Sequence, residues 1–309
     1  MIVLTPFLRW RNASILVIAV TGFYLLEQMW PLVGLALFVG FSLTLGMGHG
    51  ALDIVLLLAQ FKPRLRVMLV ALTYLTVTLL AGWLLSYSFV WAFVLLLVMS
   101  VWHFGETYAQ SPLLRLAVGG ASIMAPYLIQ QATLSDLMQD IAGRDASVLL
   151  RGWSGLAWTW VGLVVVVLIK AAMNRFGSAS LDPRTDQFPA TALVEIGVIF
   201  CLSFVLSPLL LFALYFGLFH CTAHVVRVWR ATLRHEGLST ALLAWSWSAI
   251  MMATAVLLAV LWYWLPNANM SAIHLNPQVV HWLVVALGAL TLPHLLLVSF
   301  SDQWLEQLT

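Results

Sequence analysis

The chain has 309 residues, 62% of them hydrophobic and 8% charged, with a mean hydropathy of +0.99. Soluble domains carry about 25% charged residues, so this composition excludes a soluble globular protein and predicts an all-α, polytopic transmembrane bundle forming one integral-membrane domain over 1–309. A formal net charge of +2 gives nucleic acid nothing to bind, and two cysteines in apolar stretches, Cys201 and Cys221, supply neither a disulfide framework nor a CxxC metal knuckle.

Crossing a bilayer takes about twenty apolar residues. Ten runs qualify: 13–29, 31–60, 65–86, 88–110, 113–131, 152–173, 188–206, 208–230, 239–264 and 277–300, which predicts about ten spans (eight to ten). Arg9 and Arg11 precede the first run, and no small-residue cleavage site follows it, so it reads as a retained span. The segment 132–151, with Asp136, Asp140, Arg144 and Asp145, reads as an amphipathic interfacial loop, and 174–187 as a solvated linker. Fifteen tryptophans and seven tyrosines suit two interfacial belts. There is no low-complexity tract and no internal repeat.

With the N-terminus cytoplasmic, twelve basic residues fall on one side: Arg9, Arg11, Lys62, Arg64, Arg66, Arg115, Lys170, Arg175, Arg184, Arg227, Arg230 and Arg234. Only Arg144 and Arg151 fall on the other. The positive-inside bias therefore predicts both termini in the cytoplasm and a multi-pass protein of the cell's inner (plasma) membrane.

Of eight histidines, His235 lies in a basic loop, His274 in a non-cytoplasmic loop and His281 near the start of the last span. His49, His103, His220, His224 and His294 lie inside apolar runs, all on spans directed inward. Counted from the outer end of each span at ~1.5 Å per residue, these five sit within about one and a half turns of a common level. That predicts one shared site. His220 and His224 form an HxxxH pair on one helical face, a spacing at which two imidazoles can bind one metal.

Carboxylates accompany them: Asp53 one turn from His49, Glu106 three residues after His103, and Glu195 within span 188–206. Each can accept the second ring N–H of a ligating histidine; the bland alternative is interhelical hydrogen bonding. Glu195 and His220 each lie twelve residues from the turn at 207–208, which predicts that Glu195 accepts from His220 or His224. Imidazoles without thiolates suit iron, zinc, copper or nickel, and the residues do not choose among these. Phe104, Tyr108, Tyr215, Phe216 and Phe219 line the same stretches and offer either a slot for a long apolar ligand or plain packing. Gly46, Gly48 and Gly50 allow close helix approach or a local break.

These stretches resemble the Brp/Blh family of membrane-bound beta-carotene dioxygenases. The resemblance rests on His49-Gly50-Ala51-Leu52-Asp53, on Trp102-His103-Phe104-Gly105-Glu106, on Tyr215-Phe216-Gly217-Leu218-Phe219-His220 with His224, and on Leu292-Pro293-His294. It implies a ferrous iron held by His49, His103, His220 and His224. It also implies O2-dependent cleavage of the central double bond of beta-carotene to two retinals, a substrate pocket including Phe104, Tyr108, Tyr215, Phe219 and His294, and a functional link to a retinal-binding rhodopsin. Cys221 stands where the family is expected to carry a small hydroxyl residue.

Other classes leave different marks. A di-iron desaturase needs adjacent His-His boxes, and there are none. Haem ligands normally face each other from two helices, whereas His220 and His224 share one face. A rhodopsin needs a mid-span lysine, and Lys62 and Lys170 lie at span ends. A transporter with a histidine–carboxylate relay stays open, as does a haem protein using the same cluster.

Overall fold

A computed structural model describes residues 10–30, 33–46, 50, 52–53, 64–108, 111–142, 146–176, 190–234 and 285–299. These are almost entirely helical, with no strand among the described residues. In chain order the helices are α1 (Trp10–Met29), α2 (Val33–Phe41), α3 (Arg64–Tyr87), α4 (Phe89–Phe104), α5 (Pro112–Ile129), α6 (Gln131–Ala142), α7 (Ala146–Phe176), α8 (Ala190–Leu202), α9 (Pro208–Leu214), α10 (Thr222–Arg234) and α11 (Val285–Ser299). Two π-helical segments interrupt them: Ser42–Gly46 extends α2, and Tyr215–Cys221 joins α9 to α10. The expected span 239–264 lies outside the described residues.

Four helices among the described residues are long and apolar enough to cross a membrane: Leu65–Tyr87, Pro112–Ile129, Ala146–Met173 and Pro208–Arg230. Leu65–Tyr87 carries Leu65, Met68, Leu72, Leu75 and Leu79 on an exposed face. Water disfavours so long an apolar stripe, and lipid accepts it.

Two expected boundaries move. The segment read as a loop over 132–151 is helical over Gln131–Ala142 and again from Ala146. Leu134 and Met138, four apart, bury one face while Asp136 stays exposed, so one charge that suggested a loop rides on the outer side of a helix. The run 88–110 is helical only to Phe104; a 3₁₀ turn, Glu106–Tyr108, follows Gly105.

By their packing the residues fall into two compact units, the first comprising Met1–Ala36, Leu97–Met138 and Asp145–Phe212. Its centre is α5, buried almost continuously from Leu114 to Tyr127 and packed on α7 and α8. Ser111 caps α5 by accepting from Leu114 N at 3.4 Å, and Pro112 follows where a missing N–H costs nothing. Trp160 Nε1 donates to the Ala117 carbonyl at 2.8 Å, and Tyr127 Oη donates to that of Leu150 at 3.0 Å. At the far end Gln130 Nε2 donates to the carbonyls of Ser203 and Leu206, both at 2.6 Å, satisfying the chain where α8 stops. The N-terminus of α9 is capped by Ser207 Oγ and by Glu27 Oε2, which accepts from Ser207 N at 3.2 Å.

Arg115, which the charge count assigns to a cytoplasmic loop, is buried in this unit. Its Nε donates to the Trp102 carbonyl at 2.8 Å and its guanidinium lies 4.3 Å from the centre of a Trp102 ring. A carbonyl and an aromatic face compensate the desolvation that a loop position would have avoided.

The second unit comprises Leu37–Leu96, Gln139–Arg144 and Ala213–Thr309. Here α3 and α11 meet through small residues: a Cβ on Gly82 would lie 3.4 Å from the Ala289 Cβ, and one on Gly288 would lie 2.6 Å from Leu85. The two π-helical segments pack on each other.

Candidate metal centre

The second unit holds the Tyr215–Cys221 π-segment, which widens the helix by one residue for each hydrogen bond it re-routes. Such turns are rare and recur at functional sites. Thr222 Oγ1 donates to the Gly217 carbonyl at 3.3 Å, occupying one acceptor that the widened turn displaces. Two reciprocal contacts lock it against Ser42–Gly46. A Cβ on Gly217 would come within 2.9 Å of the Phe41 Cβ, and one on Gly46 within 2.8 Å of the Phe216 ring. Phe216 in turn stacks on His220, with ring centres 6.0 Å apart and an interplanar angle of 14°. Gly46 therefore seats the aromatic ring that stacks on the first imidazole of the HxxxH pair.

His220 and His224 are both buried, His224 completely. His220 lies in the last turn of the π-segment, one residue before its end at Cys221, and His224 lies in the first turn of α10. The His224 ring meets that of His294 edge-on, centres 5.5 Å apart at 75°. On its other side, Arg227 Nη2 lies 3.4 Å from His224 Nδ1. Asp53 places Oδ1 and Oδ2 at 2.8 and 3.0 Å from His294 Nδ1, and Tyr74 Oη donates to Asp53 Oδ2 at 2.9 Å. Tyr215 and Cys221 are buried alongside, and Phe219 is half-buried. His49 lies outside the described residues, as do His235, His274 and His281.

The first unit holds the other named residues. His103, in the last turn of α4, has Nδ1 at 3.4 Å from Glu106 Oε2, and both side chains are buried. Phe104 packs on Phe212 at 6.0 Å. Gly105, between His103 and Glu106, abuts the backbone of Arg115 so closely that no Cβ fits, and Gly119 meets the Val101 carbonyl in the same way. These two glycines bring α4 and α5 to backbone contact.

Glu195 accepts from Tyr108 Oη at 3.1 Å. The reason is local: the 3₁₀ turn after Gly105 swings Tyr108 toward α8, and its hydroxyl satisfies the carboxylate. Glu195→Gln should therefore change metal content by less than about twofold, against the roughly 10–100-fold expected for a carboxylate holding a ligating histidine. Metal analysis of the purified variant checks this.

Sequence reading missed Tyr74, Arg227 and both π-segments as parts of the site. Tyr74 left one signal, a hydroxyl in the middle of the apolar run 65–86. The charge count places Arg227 only on the cytoplasmic side, and π-segments leave no simple periodicity.

The donor set is imidazole with carboxylate behind it, which fits a metal that takes nitrogen ligands. Among the described residues, no three His, Cys, Asp or Glu side chains form a complete metal-holding group.

Comparison with curated proteins and with solved structures gave no match. The model of one family, described as beta-carotene 15,15'-dioxygenase, matches residues 41–302. The matched span opens beside the first π-segment and runs past α11, so it takes in every buried histidine and carboxylate described above. It covers well over half of the chain, and the chain belongs to the beta-carotene 15,15'-dioxygenase family.

Proposed function

We propose that the protein is an iron-dependent oxygenase that splits the central double bond of beta-carotene with O2, giving two molecules of retinal. The family match over 41–302 carries this reading. In atoms, one C=C bond breaks, two C=O bonds form, and both oxygens of one O2 end in the two aldehydes.

In this proposal His49, His103, His220 and His224 hold the metal, as the motif resemblance implies. The donor chemistry of His220 and His224, two buried imidazoles four residues apart, supports it. Ferrous iron, when bound, supplies the activation that ground-state O2 needs to react with a closed-shell polyene.

The chain's own residues do the rest. Phe216 stacks on His220 and restricts its ring. Glu106, 3.4 Å from His103 Nδ1, can hold the tautomer of that ring. Phe104, Tyr108, Tyr215 and Phe219 are proposed to line an apolar slot that excludes water and aligns one double bond. Four helices long and apolar enough to cross a membrane suit a substrate dissolved in lipid.

Expression in cells that accumulate beta-carotene tests this. The expected result is loss of carotene and appearance of retinal, with label from ¹⁸O2 in both aldehydes. Unchanged carotene despite membrane expression and available iron would overturn it.

A further inference from the structure

The resemblance gives His294 only a place in the substrate pocket. Its surroundings are those of a metal-directed imidazole. Both oxygens of Asp53 face its Nδ1, at 2.8 and 3.0 Å, and Tyr74 Oη holds the second of them at 2.9 Å. A carboxylate only accepts, so the proton of the neutral imidazole resides on Nδ1 and the lone pair on Nε2. That is the tautomer a ligating histidine requires, and a carboxylate behind it raises its basicity.

Position agrees. Asp53 and His294 are each 3% exposed, and the His294 ring meets the completely buried His224 at 5.5 Å. Two imidazoles that share one ion at about 2.1 Å per nitrogen have ring centres roughly 5 Å apart. Keeping an aspartate this deep in an apolar helix array is costly, so it needs a return larger than one hydrogen bond.

We propose that Tyr74, Asp53 and His294 form a positioning relay of the metal centre, in which His294 directs Nε2 at the ion beside His224. His294 then acts as a further nitrogen donor, and Asp53 and Tyr74 act through it. The inference rests on the metal-dependent reading proposed above.

The test uses the full-length purified protein, stripped with a chelator and titrated with Co(II), whose ligand-field absorption reports its donors. Asp53→Asn should weaken cobalt affinity by roughly 10–100-fold and shift the absorption bands. Tyr74→Phe should shift it in the same direction by less. His294→Ala should change band intensity by loss of one nitrogen, and added imidazole should restore it; simple destabilisation would not be rescued this way. Wild-type affinity and spectrum in His294→Ala would overturn the relay. If that variant does not fold, unchanged cobalt affinity in both Asp53→Asn and Tyr74→Phe overturns it equally. Failure of the wild-type protein itself to bind cobalt or iron would instead overturn the metal-dependent reading, and the relay with it.

Discussion

His224→Ala is expected to abolish retinal formation and to lower iron content by more than about 100-fold, beyond the scale of losing an outer hydrogen bond, while membrane yield stays near wild type. The ring is completely buried, lies four residues from His220 and touches His294, so its removal deletes the link between the two described imidazole neighbours. Fold loss is a lesser effect, because α10 keeps its helical backbone and alanine is the best helix former. His235→Ala should leave both readouts unchanged, since that histidine stands in a basic loop of the sequence. Iron analysis and pigment extraction from the same preparations check this; a His224→Ala protein with full iron would remove this residue from the centre.

Gly105→Ala is the second large effect. The new Cβ would collide with the carbonyl oxygen of Arg115, a backbone atom of α5 that cannot rotate aside. Overpacking of this kind typically costs about 1–3 kcal/mol, occasionally more. Relief requires α4 and α5 to separate, and the contact of Gly119 with the Val101 carbonyl resists that. The displaced turn carries Glu106 and Tyr108, so His103 loses its neighbouring carboxylate and Glu195 loses the hydroxyl of Tyr108. The expected result is a lower melting temperature in detergent and at least tenfold less activity. Gly155→Ala, on α7 with nothing within 4 Å of its added Cβ, should do neither. Equal melting temperatures for the two variants would show that the α4–α5 approach is looser than described.

Much of this was legible without coordinates. A mean hydropathy of +0.99 points to apolar helices, because lipid leaves a backbone few ways to satisfy its own polar groups, and four of the described helices are long and apolar enough to cross a membrane. The four short motifs carried the family assignment, which the match over 41–302 shows.

Partner choice was not legible. Asp53 holds His294, 241 residues distant, and also accepts from Tyr74. Glu195 went to Tyr108, and Arg115 went inside. Such pairings depend on which helices pack and at what rotation, and that is set by contacts summed over the whole bundle. The π-segments show the same division. An isolated helix gains nothing by widening a turn, and what holds the turns here is the interlock of Gly217 under Phe41 and Gly46 under Phe216, two contacts that exist only once distant segments have met.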